Sequence, residues 1–540
     1  MEDFMTDCSV AAVFSDHCVL QRHKPIAVFG QGPDGATVEV QLMHKDGSVC
    51  AHAVSSVVGG VWNAVLMPQE AQEHLCLAVR CDQAGFSKTF SDVAVGEVWF
   101  AGGQSNMELE LANCIEGPRE LQSETDSAVR FYYTQKLQYQ DEYFYEQEQK
   151  NCWQTWRHGN PETWSAVGYF FAKKLAADLG VTVGIIGCNW GGTSASSWVD
   201  RDQLSGDCEL ASYLVDYEQA VAGRSREQQR LEYEAFQMRH NEWEARVAGL
   251  LKEHPELTHD EAAARVGPFE EDWRGPMCYK NPYRPNGLYQ CMVRRVVPYT
   301  LKGFLYYQGE SDDHKPTLYY KLFCSLIQKW RKDWHDDTLP FVFVQLPQHR
   351  YAADRDFKNW CLIREAQFKT FLTVRNTGMV CAADLGAYND IHPKAKKTLA
   401  ERMENTALWL AYNRAEAQDV NGPLLMYAIP QDTKMLLLFD YAQDGFVVQP
   451  DEETLNHYIE LEKSQGNTVS RDFTGFELAD ADGVFYPAKF ECGAQGIPNA
   501  IALYSQKVAR PVFARYAWYN YGPITIFGKN GLPLSPFRTQ

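Results

Sequence analysis

Three short segments of this chain place reactive or hydrogen-bonding side chains directly after apolar runs, and a fourth places a histidine ahead of a helix. Gly102-Gly103-Gln104-Ser105-Asn106-Met107 follows Val98-Trp99-Phe100-Ala101. A serine at the carboxyl end of a buried parallel strand lies where open α/β sheets form their active-site crevice. The glycines let the chain turn sharply enough to expose the hydroxyl, although the same residues also suit a plain turn closed by an N-cap serine. The spacing is not G-x-S-x-G, so the nucleophile elbow of α/β hydrolases is not indicated. Asn189-Trp190-Gly191-Gly192-Thr193-Ser194 follows Val183-Gly184-Ile185-Ile186. Its adjacent glycines can offer main-chain N–H groups to a tetrahedral oxyanion, or make an ordinary strand-to-helix turn. In Tyr306-Tyr307-Gln308-Gly309-Glu310-Ser311-Asp312, the Gln308 amide is a further oxyanion donor, and Glu310 is a charge with no evident solvent role. In Asn389-Asp390-Ile391-His392-Pro393, the imidazole can take a serine proton near neutral pH, and a nearby carboxylate can hold its tautomer. A histidine ahead of a helix is also a common structural residue.

Taken together the segments supply a nucleophile, a base and oxyanion donors, parts of acyl-transfer chemistry that need only be near in space. Positioning them calls for a parallel strand-and-helix layer, and residues 95–415 have that texture. The runs 98–101, 183–186, 304–307 and 341–344 are apolar on consecutive positions, as in strands buried on both faces. Trp164, Val167, Phe171 and Leu175 predict a helix that stops at Gly180, a suitable C-cap. Residues 205–265 are charged and carry Leu210, Tyr213, Leu214, Tyr217 and Val221, then Leu231, Phe236, Trp243 and Val247, at helical spacing. This reads as a helical insertion, an amphipathic cover without chemistry of its own. Residues 1–94 alternate short β-rich runs with turns such as Gly32-Pro33-Asp34-Gly35, and 416–540 return to that texture, with strands expected at 435–439 and 500–504. Three regions follow for a chain of 540 residues, more than one core usually serves: an N-terminal β domain, 1–94, the α/β domain, 95–415, and a C-terminal β-rich domain, 416–540.

Composition narrows the function further. Hydrophobic residues make up 45% of the chain and charged residues 22%, so a disordered or membrane protein is not indicated. A net charge of −19 argues against a nucleic-acid partner, whose phosphates call for clustered Lys and Arg. The start MEDFMTDCSVAAVF lacks the basic and apolar regions of a secretory leader, and no run of ~18 apolar residues occurs, so a cytoplasmic protein with no membrane contact is expected. The cysteines are scattered without a C-x-x-C pair, which gives no zinc or redox site and suggests reduced, buried thiols.

The four segments resemble the conserved blocks of SGNH hydrolases, and more narrowly those of the sialate O-acetylesterase family, which read G-Q-S-N-M, Q-G-E-S and D-I-H-P. Further matches span nearly the whole chain: Phe14-Ser15-Asp16-His17-Cys18-Val19-Leu20-Gln21-Arg22, with Cys18 where methionine is usual, Pro285-Asn286-Gly287-Leu288-Tyr289, Arg364-Glu365-Ala366-Gln367, and the ending Gly531-Leu532-Pro533-Leu534-Ser535-Pro536-Phe537-Arg538-Thr539. The resemblance implies an α/β fold with a three-layer, flavodoxin-like SGNH sheet. It implies Ser105 as nucleophile, His392 as base, and an oxyanion hole made by the Ser105 N–H, an N–H of the Gly191–Gly192 pair and the Gln308 amide. Gln104, Asn106 and Glu310 would support them. Gln308 stands where many SGNH enzymes carry asparagine, so its donor reaches one methylene further. The superfamily places an aspartate three residues before the histidine, where this chain has Asn389. Asp390, two residues before, is therefore the expected orienting carboxylate, and a Ser–His dyad aided by a backbone carbonyl is the alternative. The implied reaction removes O-acetyl groups, 9-O-acetyl above all, from sialic acid, with no metal or organic cofactor. An acetylxylan-type esterase would share core and chemistry. A non-catalytic carbohydrate-binding protein, with aromatic stacking platforms, is the reading from another class, and intact Ser105, Gln308 and His392 speak against it.

Overall fold

In the computed structural model the chain divides into two compact units, Met1–Tyr306 with Cys324–Phe341, and Tyr307–Phe323 with Val342–Gln540. The structure describes residues 7–122, 128–257, 259–351 and 354–539; the first six residues, part of the stretch read above for a leader, lie outside them. These units cut across the three regions expected from texture.

The first unit opens with antiparallel strands whose alternation follows from one buried face. Thr37–Met43 buries Val38, Val40 and Leu42 and pairs with Val49–Ser56 and Gln72–Cys81. The boundary expected at 94/95 falls inside one continuous strand, β1, Phe86–Gly103. Its first part pairs antiparallel with Gln72–Cys81, and from Glu97 onward it pairs parallel with β3, Val183–Asn189. The β-rich segment and the α/β layer are therefore joined by a shared strand. β2, Val129–Tyr133, lies parallel on the other side of β3, and β4, Gly303–Tyr307, on the other side of β1. The helix Ala166–Leu179 starts at Ser165, whose hydroxyl accepts the Gly168 N–H, and stops at Gly180 in the left-handed conformation.

The insertion consists of Ala211–Val221, Arg226–Glu253 and His259–Val266. Trp243, Val247 and Ala262 form one of its apolar clusters, and Tyr233, Phe236 and Cys278 another; Phe269 packs against both. Its core thus extends beyond residue 265 to Cys278, a stretch whose spacing carries no helical signal.

In the second unit β5, Phe341–Gln345, neighbours β6, Thr377–Cys381, with the helices Asn359–Thr373 and Lys396–Tyr412 between and after them. The strands expected near 435 and 500 are Lys434–Asp440 and Ala500–Tyr504, which pair antiparallel with each other. Leu437, Phe476, Ile501 and Tyr516 share one core with Ala383, two residues past β6. That common core is why the C-terminal strands group with the last α/β elements. Among the described residues no helix is long and apolar enough to cross a membrane.

Candidate active site

Gly102 and Gly103 end β1 for steric reasons. A Cβ on Gly102 would lie 2.7 Å from the Trp330 ring, and Gly103 has φ 144°, which side chains disfavour. Ser105 then opens a short helix, Ser105–Glu108, in which the Gln104 carbonyl accepts the N–H groups of Met107 at 2.9 Å and Glu108 at 3.0 Å. Gln104 and Asn106, the expected supports, are buried while Ser105 is partly exposed. A nucleophile needs this combination of a locked main chain and an accessible hydroxyl.

The parallel register pairs Asn189 with Gly103, so β3 ends beside β1. The Trp190 N–H donates to the Gly103 carbonyl at 3.1 Å, and an ideal Cβ on Gly191 would stand 3.2 Å from the Ser105 Cβ. The glycine turn therefore abuts the serine. Its two N–H groups are not equivalent. That of Gly191 donates to Glu108 Oε2 at 2.7 Å, and the other oxygen of Glu108 pairs with Lys136. Among the described residues the Gly192 N–H makes no hydrogen bond. The pair of candidate oxyanion donors thus narrows to Gly192, because a carboxylate already holds Gly191. Glu108 escaped the sequence reading although it directly follows G-Q-S-N-M, since nothing local tells that its partner is a glycine on another strand.

Gln308 belongs to the second unit and is 1% exposed. The Tyr319 hydroxyl donates to its amide oxygen at 3.0 Å and its Nε2 donates to Asp312, which together set the direction of the amide. Gln367 Nε2 donates to the Gln308 carbonyl at 3.2 Å, and Gln367 Oε1 accepts the Leu346 N–H at 2.9 Å. The matched stretch Arg364-Glu365-Ala366-Gln367 acquires a purpose here: it fixes the main chain that carries Gln308. Glu310 and Asp312 are buried beside it. Burial first, and then the charge of Glu310, raise the Tyr307 phenol well above its ordinary range, so it stays neutral. Lys396 Nζ lies 5.1 Å from the centroid of that ring.

The His392 loop is also held at several points. Asp384 takes both Nη groups of Arg402 at 2.7 Å, a bidentate pair that ties the loop to the following helix. Asn389, where the superfamily has aspartate, adopts φ 55°, a turn conformation that asparagine tolerates. Asp390 Oδ1 accepts the main-chain N–H of His392 at 2.8 Å. Expected on the imidazole, the hydrogen bond of this carboxylate runs instead to the main chain and closes an Asx turn that presents His392. Thus Ser105, Gly191, Gly192 and Glu108 meet within the first unit, while Gln308, Glu310 and the Asp390–His392 turn belong to the second.

The profile of a family described as carbohydrate esterase, sialic acid-specific acetylesterase, matches residues 270–408. The chain is 27% identical to the sialate O-acetylesterase of Mus musculus over 480 residues, 82% of this chain and 81% of that one. It is 26% identical to the sialate O-acetylesterase of Homo sapiens over 452 residues, 77% of this chain and 73% of that one. A crystal structure of a carbohydrate acetylesterase from Xanthomonas citri matches with a TM-score of 0.71 at 26% identity, covering 99% of both chains. Over most of its length the chain is similar to sialate O-acetylesterases. With these relatives and the matched acetylesterase segment, it is an ester hydrolase. The span matched by the family profile contains Gln308, Tyr319, Gln367, Asp390 and His392, and the relatives' longer matches extend over most of the chain.

Proposed function

We propose that this esterase removes O-acetyl groups from sialic acid, the 9-O-acetyl group among them, on a three-layer SGNH scaffold with Ser105 as nucleophile. The observation that carries this reading is the placement of Ser105: a partly exposed serine in G-Q-S-N-M, at the end of a buried parallel strand and against the Gly191–Gly192 turn. His392 takes the Ser105 proton as the oxygen attacks the acetyl carbonyl. The N–H groups of Ser105 and Gly192 and one amide hydrogen of Gln308 stabilise the resulting oxyanion. As the tetrahedral intermediate collapses, the bond from carbon to the sugar oxygen breaks and His392 returns the proton to that oxygen. Water then releases acetate from Ser105 by the same route. Acetate release measured side by side on 9-O-acetylated sialic acid and acetylated xylan tests the substrate. Turnover confined to xylan would transfer the activity to the neutral-polysaccharide alternative.

Gln308 gives a sharper test of the oxyanion donors. Gln308→Ala should lower kcat by ~10²–10³ with little change in KM, because the bond strengthens only as charge develops. A thermal melt of the variant checks that the clamp of Asp312, Tyr319 and Gln367 still folds. A raised KM with kcat intact would make Gln308 a ground-state binder.

Asp390 is assigned the part its geometry supports, holding the turn that presents His392. Asp390→Asn keeps an oxygen acceptor for the His392 N–H and removes only the charge, so kcat should fall by less than about tenfold, whereas Asp390→Ala should lose more. A loss of ~10³–10⁴ in the Asn variant, with a lowered apparent pKa in kcat/KM, would place the carboxylate on the ring as in a triad.

A further inference from the structure

Next to the nucleophile, the first unit carries an aromatic residue that the reaction itself does not use. Trp273 lies in the insertion beyond its last helix, and 49% of it is exposed. Its six-membered ring rests against Gly192: a Cβ there would come within 2.1 Å of Cη2 and 2.6 Å of Cζ3. Gly192 has φ 73°, so the position favours glycine on backbone grounds as well as for space. One residue earlier, a Cβ on Gly191 would stand 3.2 Å from the Ser105 Cβ. The two-glycine turn therefore has the indole against one residue and the nucleophile beside the other. Tyr283 meets it edge-on, with ring centroids 5.2 Å apart and planes at 80°. Arg274 lies 5.9 Å from the ring centroid and is itself held by Asp272 through bonds of 3.1 and 2.9 Å. Burial, followed by the charge of Glu108, pushes the Tyr283 phenol up to about 12, which keeps it a neutral donor at working pH.

A large aromatic surface left in solvent is costly unless something covers it. Here the surroundings suit a sugar. A pyranose offers an apolar C–H face to an aromatic ring and hydroxyls to polar neighbours, and binding sites combine aromatic walls with a few polar groups in this way. We infer that Trp273 is the stacking platform for the sugar ring of the acetylated substrate, positioned by the Gly192 turn so that the ester reaches Ser105. This rests on the carbohydrate-ester reading and adds a role for the insertion, which becomes part of the substrate site.

The test compares wild type, Trp273→Ala and Trp273→Phe on an O-acetylated sugar and on ethyl acetate, which has the same acyl group and no ring. Trp273→Ala should raise KM for the sugar ester by about tenfold or more, with kcat changed much less, and lower ethyl acetate hydrolysis by a far smaller factor; Trp273→Phe should recover most of the loss. In a Ser105→Ala background, calorimetry should show the same weakening of sugar affinity without any turnover. An unchanged sugar KM, or equal losses on both esters, would overturn the platform while leaving the esterase reading intact. A wild type that cleaves ethyl acetate but neither cleaves nor binds acetylated sugars would overturn the carbohydrate reading and the platform together.

Discussion

Ser105→Ala should lower acetyl-ester turnover by roughly 10³-fold or more, because only oxyanion stabilisation and binding remain once no nucleophile can form the acyl-enzyme. The fold should survive the change. The turn around Ser105 is held by main-chain bonds from the Gln104 carbonyl and by the Trp190 N–H on the Gly103 carbonyl, none of which needs the hydroxyl. Acetate release at substrate saturation, alongside a thermal midpoint within a degree or two of wild type, is the measurement. Activity close to wild type in a clean preparation would remove Ser105 from the mechanism.

His392→Ala is the companion experiment and should cost a comparable factor, roughly 10³ or more, since nucleophile and base act as one unit. The combined Ser105→Ala, His392→Ala variant should be no slower than either single variant. Independent roles would instead multiply the two losses. The pH profile supplies a second readout. An imidazole works as a base only when unprotonated, so wild-type kcat/KM should fall as the pH drops through the titration of that base, and the acid limb should be absent from the residual activity of His392→Ala. A surviving acid limb would mean that another group takes the serine proton. Thermal stability should change little, because Asp384–Arg402 and the Asp390 turn secure the loop without the imidazole.

The strands at the candidate site were legible because being buried on both faces writes itself into consecutive apolar residues. β1 and β3 to β5 carry that signature. β2 and β6, Val129–Tyr133 and Thr377–Cys381, were not picked out: the first carries Arg130 among its apolar residues and the second opens with Thr377 and Gly378, so neither reads as a plain apolar run. The boundary at 94/95 misled for a related reason. A change of texture marks where the packing of the two faces changes, and a single long strand can pass through such a change without a break.

Local order alone therefore determined the residue types that can do this chemistry, the position of three of the four segments after buried strands, the helix stop at Gly180, and the resemblance to the sialate O-acetylesterases. All of these depend on neighbours within a few residues, where sequence spacing equals spatial spacing. Tertiary structure decided which group meets which. Glu108 claims the Gly191 N–H only because β1 and β3 run parallel in the register that sets Gly103 beside Asn189. Trp273 reaches Gly192 only because the insertion's core extends to Cys278. The amide of Gln308 points as it does because Tyr319 and Asp312 hold its two ends. The Asp390 carboxylate turns to the main chain because the left-handed turn at Asn389 brings the His392 N–H within its reach. Hydrogen bonds and van der Waals contacts act over a few ångströms, so which of several capable side chains is engaged depends on strand register and on the packing of distant segments. Neither has a signature in the order of residues along the chain.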